Sequence, residues 1–200
     1  MPRKKTTRII GGGGGRREEI IRAAAKLFRE KGYNGTSIVE IAREVGLPKG
    51  SIYNYVESKE ELLYDIITFG IRTSLPRFKA IAASNENPEN KFRQIVYEDT
   101  LSMMKYHDFI TVFYQDRNNL SGKHSKEYIT YRAEVEGCFR KILEEGIAEG
   151  VFRETNVTLL IFAVLGMCNW ITQWYKSTGK LSPEKIATFF SETAMLLVCS

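Results

Sequence analysis

The chain has 200 residues, 43% of them hydrophobic, with 29 Lys and Arg against 24 Asp and Glu. That length makes one large domain or two small ones with a sizeable core. Three scattered cysteines without a CxxC pair and only two histidines exclude a disulfide framework and a zinc or His-rich metal site, and suit a reducing cytoplasm. The positive charge is concentrated: residues 1–60 hold 13 basic and 7 acidic side chains, the other 140 hold 16 and 17, which predicts a small module that meets a polyanion joined to a larger neutral one.

Residues 1–15 read as a flexible basic arm, with Arg3, Lys4, Lys5 and Arg8 ahead of the glycine run Gly11–Gly15. Those cations suit phosphates or a minor groove, and equally a solvated tail. Glycines rather than an apolar stretch follow the basic start, so no signal peptide is expected. From Arg16 the pattern turns helical: Ile20, Ala24, Leu27 and Phe28 share one face, and Gly32 ends the helix. Ser37 and Glu40 have capping-box spacing, opening a second helix that buries Ile38, Ile41, Ala42 and Val45. Gly46 allows a sharp turn, and Pro48 starts a short helix running to about Tyr55. Ser58 and Glu61 repeat the capping box at the head of a long helix.

Residues 16–57 therefore predict a helix-turn-helix inside a three-helix unit. Further helices are expected near 58–84, 89–106, 108–119, 123–149, 156–177 and 182–198, with nothing that reads as a strand. The predicted fold is all-α: an arm over 1–15, a helix-turn-helix domain over 16–60, and a larger helical domain over 61–200. The longest apolar run, Val157–Ile171, is too short for a bilayer span and reads as a buried helix, so no membrane partner is expected.

On a helical wheel of the short helix, Ile52 and Val56 mark the inward side, while Gly50 and Asn54 point away, flanked by Ser51 and Tyr53. That outward face is short, polar and aromatic, and suits a DNA major groove. Gly50 and Ser51 permit close approach, and Tyr53 and Asn54 meet base edges or phosphates. Lys49, Tyr55 and Lys59 are placed to hold phosphates, with Thr36 and Ser37 adding a contact at the start of the second helix. The plainer reading is a three-helix core with solvated polar residues.

The stretch TSIVEIAREVGLPKGSIYNYVESKEELL resembles the N-terminal signature of the TetR family of bacterial transcriptional regulators, over about residues 16–66. Leu47-Pro48 stands where Val-Ser is more frequent, and the Gly-rich arm is outside the family pattern. The resemblance implies an all-helical homodimer that binds palindromic operator DNA through its helix-turn-helix. The larger domain of such a protein takes a small-molecule effector, usually to release a repressor.

In the larger domain Trp170 and Trp174 are four apart on one helical face, with Asn169 and Gln173 on the adjacent one. Two readings stay open: a core or dimer helix, and a tunnel of aromatic and amide groups for an apolar tail with one polar end. Helices 156–177 and 182–198 carry more apolar residues than one face needs, which supports a dimer. The run Gly166-Met167, Asn169-Trp170, Trp174-Tyr175, Gly179, Leu181-Ser182-Pro183-Glu184 is similar to the acyl-CoA-responsive branch of the TetR family, although some relatives carry arginine at the place of Gln173. This implies a fatty acyl-CoA effector and no cofactor, with Phe113 and Tyr114 as pocket wall and Arg117, Lys123 and Arg132 as candidates for CoA phosphates. The alternatives are a same-fold sensor of drug-like or other hydrophobic compounds, and a helical protein-interaction module without DNA binding. Enzyme readings are weak. Asp116 and Glu134 form no convincing acid pair, no nucleophile lies in a recognisable elbow, and His107 with Asp108 offers a metal only two adjacent residues.

Overall fold

A computed structural model describes residues 15–199; the cations of the basic arm, Arg3 to Arg8, lie outside the described residues. The chain forms α1 (Arg16–Lys31), α2 (Ile38–Glu44), a 3-10 turn Ser51–Asn54, and α3 (Lys59–Ala83). These are followed by α4 (Pro88–Lys105), α5 (His107–Asp116), a 3-10 turn Arg117–Asn119, α6 (Gly122–Ala148), α7 (Val157–Trp174) and α8 (Pro183–Met195). No strand occurs among the described residues, and the architecture is all-α.

Side chains fix most helix starts. The Ser37 hydroxyl accepts from the Glu40 N–H, and the Glu40 carboxylate accepts from the Ser37 N–H at 2.8 Å. That charge-assisted bond, with the Lys31 ammonium, pulls the Glu40 carboxyl down to about 2. Ser58, Asn87 and Asn156 cap α3, α4 and α7 in the same way, each worth about 1 kcal/mol. Gly32 and Gly46 take φ of +75° and +65° where the chain leaves α1 and α2, a region in which a Cβ is strained.

The side chains bury into two cores joined by α3. The first holds Ile20, Ala24 and Phe28 of α1, Ile41 of α2, Ile52 and Val56, and Leu62, Leu63, Ile66 and Phe69 of α3. Phe109 and Val112 of α5 complete it, so the small domain closes against the larger one and takes residues from both sides of position 60. The second core holds Leu75, Phe78 and Ile81 from the far half of α3, with Phe92, Ile95, Phe139, Ile142, Ile161 and Val164 from α4, α6 and α7. Between the two, Gly70 lies against the ring of Tyr106, and Pro76 interrupts the α3 hydrogen-bond ladder because it has no N–H.

Two segments depart from the sequence expectation. The short helix over Pro48–Tyr55 is only the 3-10 turn Ser51–Asn54, closed by Ser51 N–H to Pro48 O and Tyr55 N–H to Ile52 O, both at 2.9 Å. Gly50 and the β-branched and aromatic residues Ile52, Tyr53 and Tyr55 have low helix propensity, and so short a segment does not support an α-helix of its own. Helix α7 is not buried all round. Ile161, Val164, Cys168 and Ile171 face the core, while Leu159, Trp170 and Trp174 face outward. It is long and apolar enough to cross a bilayer, yet it packs as a bundle helix against α4 and α6.

Candidate DNA-binding surface and effector cavity

The tip of the small domain is held from beneath. Ile52 and Val56 are sealed in the first core, and the Arg17 side chain reaches from α1 to the Tyr55 carbonyl at 3.1 Å and to the Glu61 carboxylate at 3.0 Å. Arg17 also pairs with buried Asp65 at 2.6 Å, so one guanidinium ties α1 to the turn and to α3. Above this base Lys49, Gly50, Tyr53, Asn54 and Tyr55 are exposed and Ser51 is half-buried; Tyr53 keeps 54% of its surface. The segment thus presents polar and aromatic groups on a rigid support, the arrangement that reading a groove requires.

The flanking residues behave differently. Thr36 is buried, 2% exposed, and its hydroxyl donates to the Leu27 and Gly32 carbonyls. Its one proton is committed to the α1–α2 corner, which corrects the expectation of a phosphate contact there. Ser37 is exposed, with its hydroxyl engaged in the capping box. The Lys59 ammonium sits 4.1 Å from the centroid of the Tyr33 ring, and burial lowers its pKa against the opposing pull of Asp116 and Glu40.

A cavity of about 610 Å³ lies between α3, α4, α5, α6 and α7. Ile67, Ile71, Phe78, Met103, Phe109, Phe113, Tyr128 and Leu165 supply its apolar wall, beside a substantial polar share. Phe113 packs on Tyr114 and Tyr128 with centroids 5.1 and 4.8 Å apart. Tyr114, Arg117 and Arg132 are exposed and mark the mouth, with the Arg117 guanidinium 5.3 Å over Phe113. Burial raises the Tyr114 pKa, and Arg117 and Arg132 oppose that shift, so both cations act on this end. The buried wall carries Ser74 and Asp99, with Ser102 and Asn169 half-buried beside them.

The cavity wall thus includes Phe113, Tyr114, Arg117, Arg132 and Asn169 among the sequence candidates, and leaves out Trp170, Gln173, Trp174 and Lys123. Trp170 (66% exposed), Gln173 and Trp174 lie on the outer face of α7, because Val164, Cys168 and Ile171 set its inner face. The spacing shows that the tryptophans share a face, not which face is inside. Lys123 is exposed at the start of α6, 4.0 Å from Glu127. His107 joins α5 to α7 through Nε2 and the Thr172 carbonyl at 3.0 Å, and Asp108 pairs with Arg29 at 2.5 Å.

Asp99 escaped sequence reasoning, and Asp116, weighed there only as half of an acid pair, has a different place. Asp99 occupies a position on the buried stripe of Phe92, Ile95 and Val96, and a carboxylate on an apolar face was the available signal. Asp116, adjacent to Arg117 of the cavity mouth, accepts the Tyr33 N–H at 3.1 Å. The chain therefore passes in one residue from the cavity to the ring that holds Lys59, a link between distant segments with no sequence signature.

Residues 20–66 match the family model of bacterial regulatory proteins of the tetR family, and residues 85–198 match the tetracyclin repressor-like C-terminal domain. The chain belongs to the TetR family. As a TetR-family protein it is a DNA-binding transcriptional regulator, in a family of regulators rather than enzymes. The TetR-family regulator PfmR from Thermus thermophilus is 30% identical, with a TM-score of 0.82 over 91% of this chain and 96% of that one. The transcriptional repressor KstR2 of Mycolicibacterium smegmatis is 25% identical over 84% of this chain and 82% of its own. AibR, solved with isovaleryl coenzyme A and operator DNA, shares the fold at 24% identity and a TM-score of 0.78, over 90% of this chain and 97% of that one.

Proposed function

We infer that this TetR-family regulator is a homodimeric repressor that releases a palindromic operator when an amphipathic effector, a fatty acyl-CoA, enters the cavity. The carrying observation is the cavity: a chamber of about 610 Å³ with an apolar wall and with Arg117 and Arg132 at its mouth. An acyl chain suits the chamber and the guanidinium groups suit phosphates outside it. AibR, which shares the fold, is a protein that takes a coenzyme A ester and operator DNA.

The second copy has a surface to meet. Leu159, Trp170 and Trp174 on α7 and Phe189 and Leu196 on α8 leave an apolar face, with Phe189 68% and Leu196 76% exposed. Exposed side chains of that apolar and aromatic character are what a stable interface buries. A dimer holds its two tips about 34 Å apart, or a multiple, to meet successive major grooves. An effector that favours another separation weakens DNA binding, and DNA weakens effector binding by the same factor.

The test is binding to the DNA upstream of the protein's own gene, followed by fluorescence anisotropy and titrated with acyl-CoAs of several lengths. Release by long or medium acyl-CoAs, and not by coenzyme A alone, is the expected result. DNA binding indifferent to every CoA ester, with release by free hydrophobes, would overturn the acyl-CoA assignment. A monomer by light scattering at micromolar concentration would overturn the dimer.

A further inference from the structure

The cavity lining carries polar groups of two kinds. Its mouth is cationic and exposed, while its inner wall carries Asp99, only 3% exposed, on the same face of α4 as Ser102. Asp99 Oδ2 is buried without a hydrogen-bond partner among the described residues. The Cys168 thiol, which also meets the Thr100 hydroxyl at 3.5 Å, only weakly favours the ionised carboxyl. A buried carboxyl left in this state is costly. Asp99 belongs to the cavity lining, so the cavity is the place from which a partner could come.

The neighbours narrow the chemistry. The Ser74 and Ser102 hydroxyls face each other across 2.8 Å, and both line the cavity. That bond uses one of their two protons and leaves the other to donate. Asp99 and the serines together therefore offer an acceptor and a donor. An alcohol answers both, donating to the carboxyl and accepting from a serine. An ammonium can donate to the carboxyl and to a serine oxygen, but it has no lone pair and leaves the remaining serine proton without an acceptor.

We propose that Asp99, Ser74 and Ser102 form a recognition site for a hydroxyl on the apolar part of the effector, so that the effector is a hydroxylated chain with an anionic head rather than a plain acyl chain. This rests on the reading of the cavity as the effector site. Arg117 and Arg132 hold the head at the mouth, and the floor selects among tails. Asp99 is the specificity group, since only a ligand that reaches it relieves the unpaired carboxyl.

The test uses calorimetric titration of the full chain with matched probes: decanoyl-CoA against 10-hydroxydecanoyl-CoA, 1-decanol against 1,10-decanediol, and decylamine. The wild type should prefer the hydroxylated member of each pair by about tenfold, the scale of one hydrogen bond to a charged group. Asp99→Leu should erase the preference while still binding the plain probes, and Asp99→Asn should keep part of it. Equal binding of both members, or a preference that survives in Asp99→Leu, overturns the proposal. So does decylamine binding the wild type more tightly than the diol and losing that advantage in Asp99→Leu, which would make the floor a cation site. The two readings fail separately. CoA esters that bind without hydroxyl preference sink the floor site alone, and a diol preference without CoA-ester binding sinks the anionic-head reading alone. Failure of every probe to bind overturns both.

Discussion

Asp99→Asn is expected to stabilise the ligand-free protein, by an amount that grows with pH. Burial pushes the Asp99 carboxyl from 3.8 up to about 7 in the folded chain. Between those values the folded state holds a proton that the unfolded state has released. Stability from this site is therefore complete below about pH 4, falls as the pH rises, and levels off above the folded value. Three units amount to about 4 kcal/mol in full, of which roughly 2 to 3 kcal/mol accrue between pH 5 and pH 8. Asparagine does not titrate, so the difference between variant and wild type isolates the Asp99 titration. The groups facing Asp99 are Cys168 from α7, which stays protonated because burial raises its pKa, and Tyr114 from α5, also raised. Neither changes charge in this window, and shared shifts at Asp65 and Asp116 cancel in the difference. Urea unfolding of both proteins at pH 5, 6, 7 and 8, at one fixed protein concentration, reads it directly. A stability difference that stays flat across the four pH values would refute the reasoning, and so would a variant that is less stable at pH 8.

Three further outcomes follow from the head, the outer face and the link between head and cavity. Tyr53→Ala and Lys59→Ala should each weaken operator binding, and the lysine change should lower the salt slope by about one; an unchanged slope means that Lys59 stays on the Tyr33 ring in the complex. Trp170→Glu combined with Leu196→Glu should give a monomer by sedimentation at micromolar concentration while leaving effector binding in place, since neither residue lines the cavity; a dimer that persists puts the interface elsewhere. Asp116→Ala removes the acceptor of the Tyr33 N–H, and should leave effector affinity near wild type while at least halving the loss of DNA affinity that the effector causes. A wild-type coupling factor in that variant would show that the signal travels by another route.

The elements are legible because their punctuation is chemical. Ser37 and Ser58 cap where the sequence places them, Asn87 and Asn156 cap at breaks that it marks, and the helices expected over 89–106 and 123–149 are observed as Pro88–Lys105 and Gly122–Ala148. The short helix departs from expectation because a wheel assumes the α period, and glycine with β-branched and aromatic neighbours settles into a tighter turn. The inward direction of Ile52 and Val56 holds all the same, since burial rather than period decides it. In the larger domain periodicity groups residues by face but cannot orient the face. Asn169 therefore reaches the cavity while Trp170, Gln173 and Trp174, on the same helix, turn outward. Thr36 looks like a free hydroxyl in sequence and becomes a buried strut only because Gly32 folds the chain back over it.

Helix α3 belongs to both cores, and the stretch between them, with Gly70, Ile71 and Ser74 on the cavity wall and Pro76 breaking the ladder just beyond, makes the cavity a fulcrum. From Gly70 to Lys59 the helix runs about 16 Å. A rotation of about 5° at the cavity would swing Lys59 by roughly 1.5 Å, enough to take a side chain out of hydrogen-bond range, and two symmetric heads would double the change in their spacing. If the proposed dimer and effector hold, such a lever would turn the volume an occupant claims beside α3 into a change of tip spacing, and the chemistry of the cavity would decide only which occupant is allowed to push.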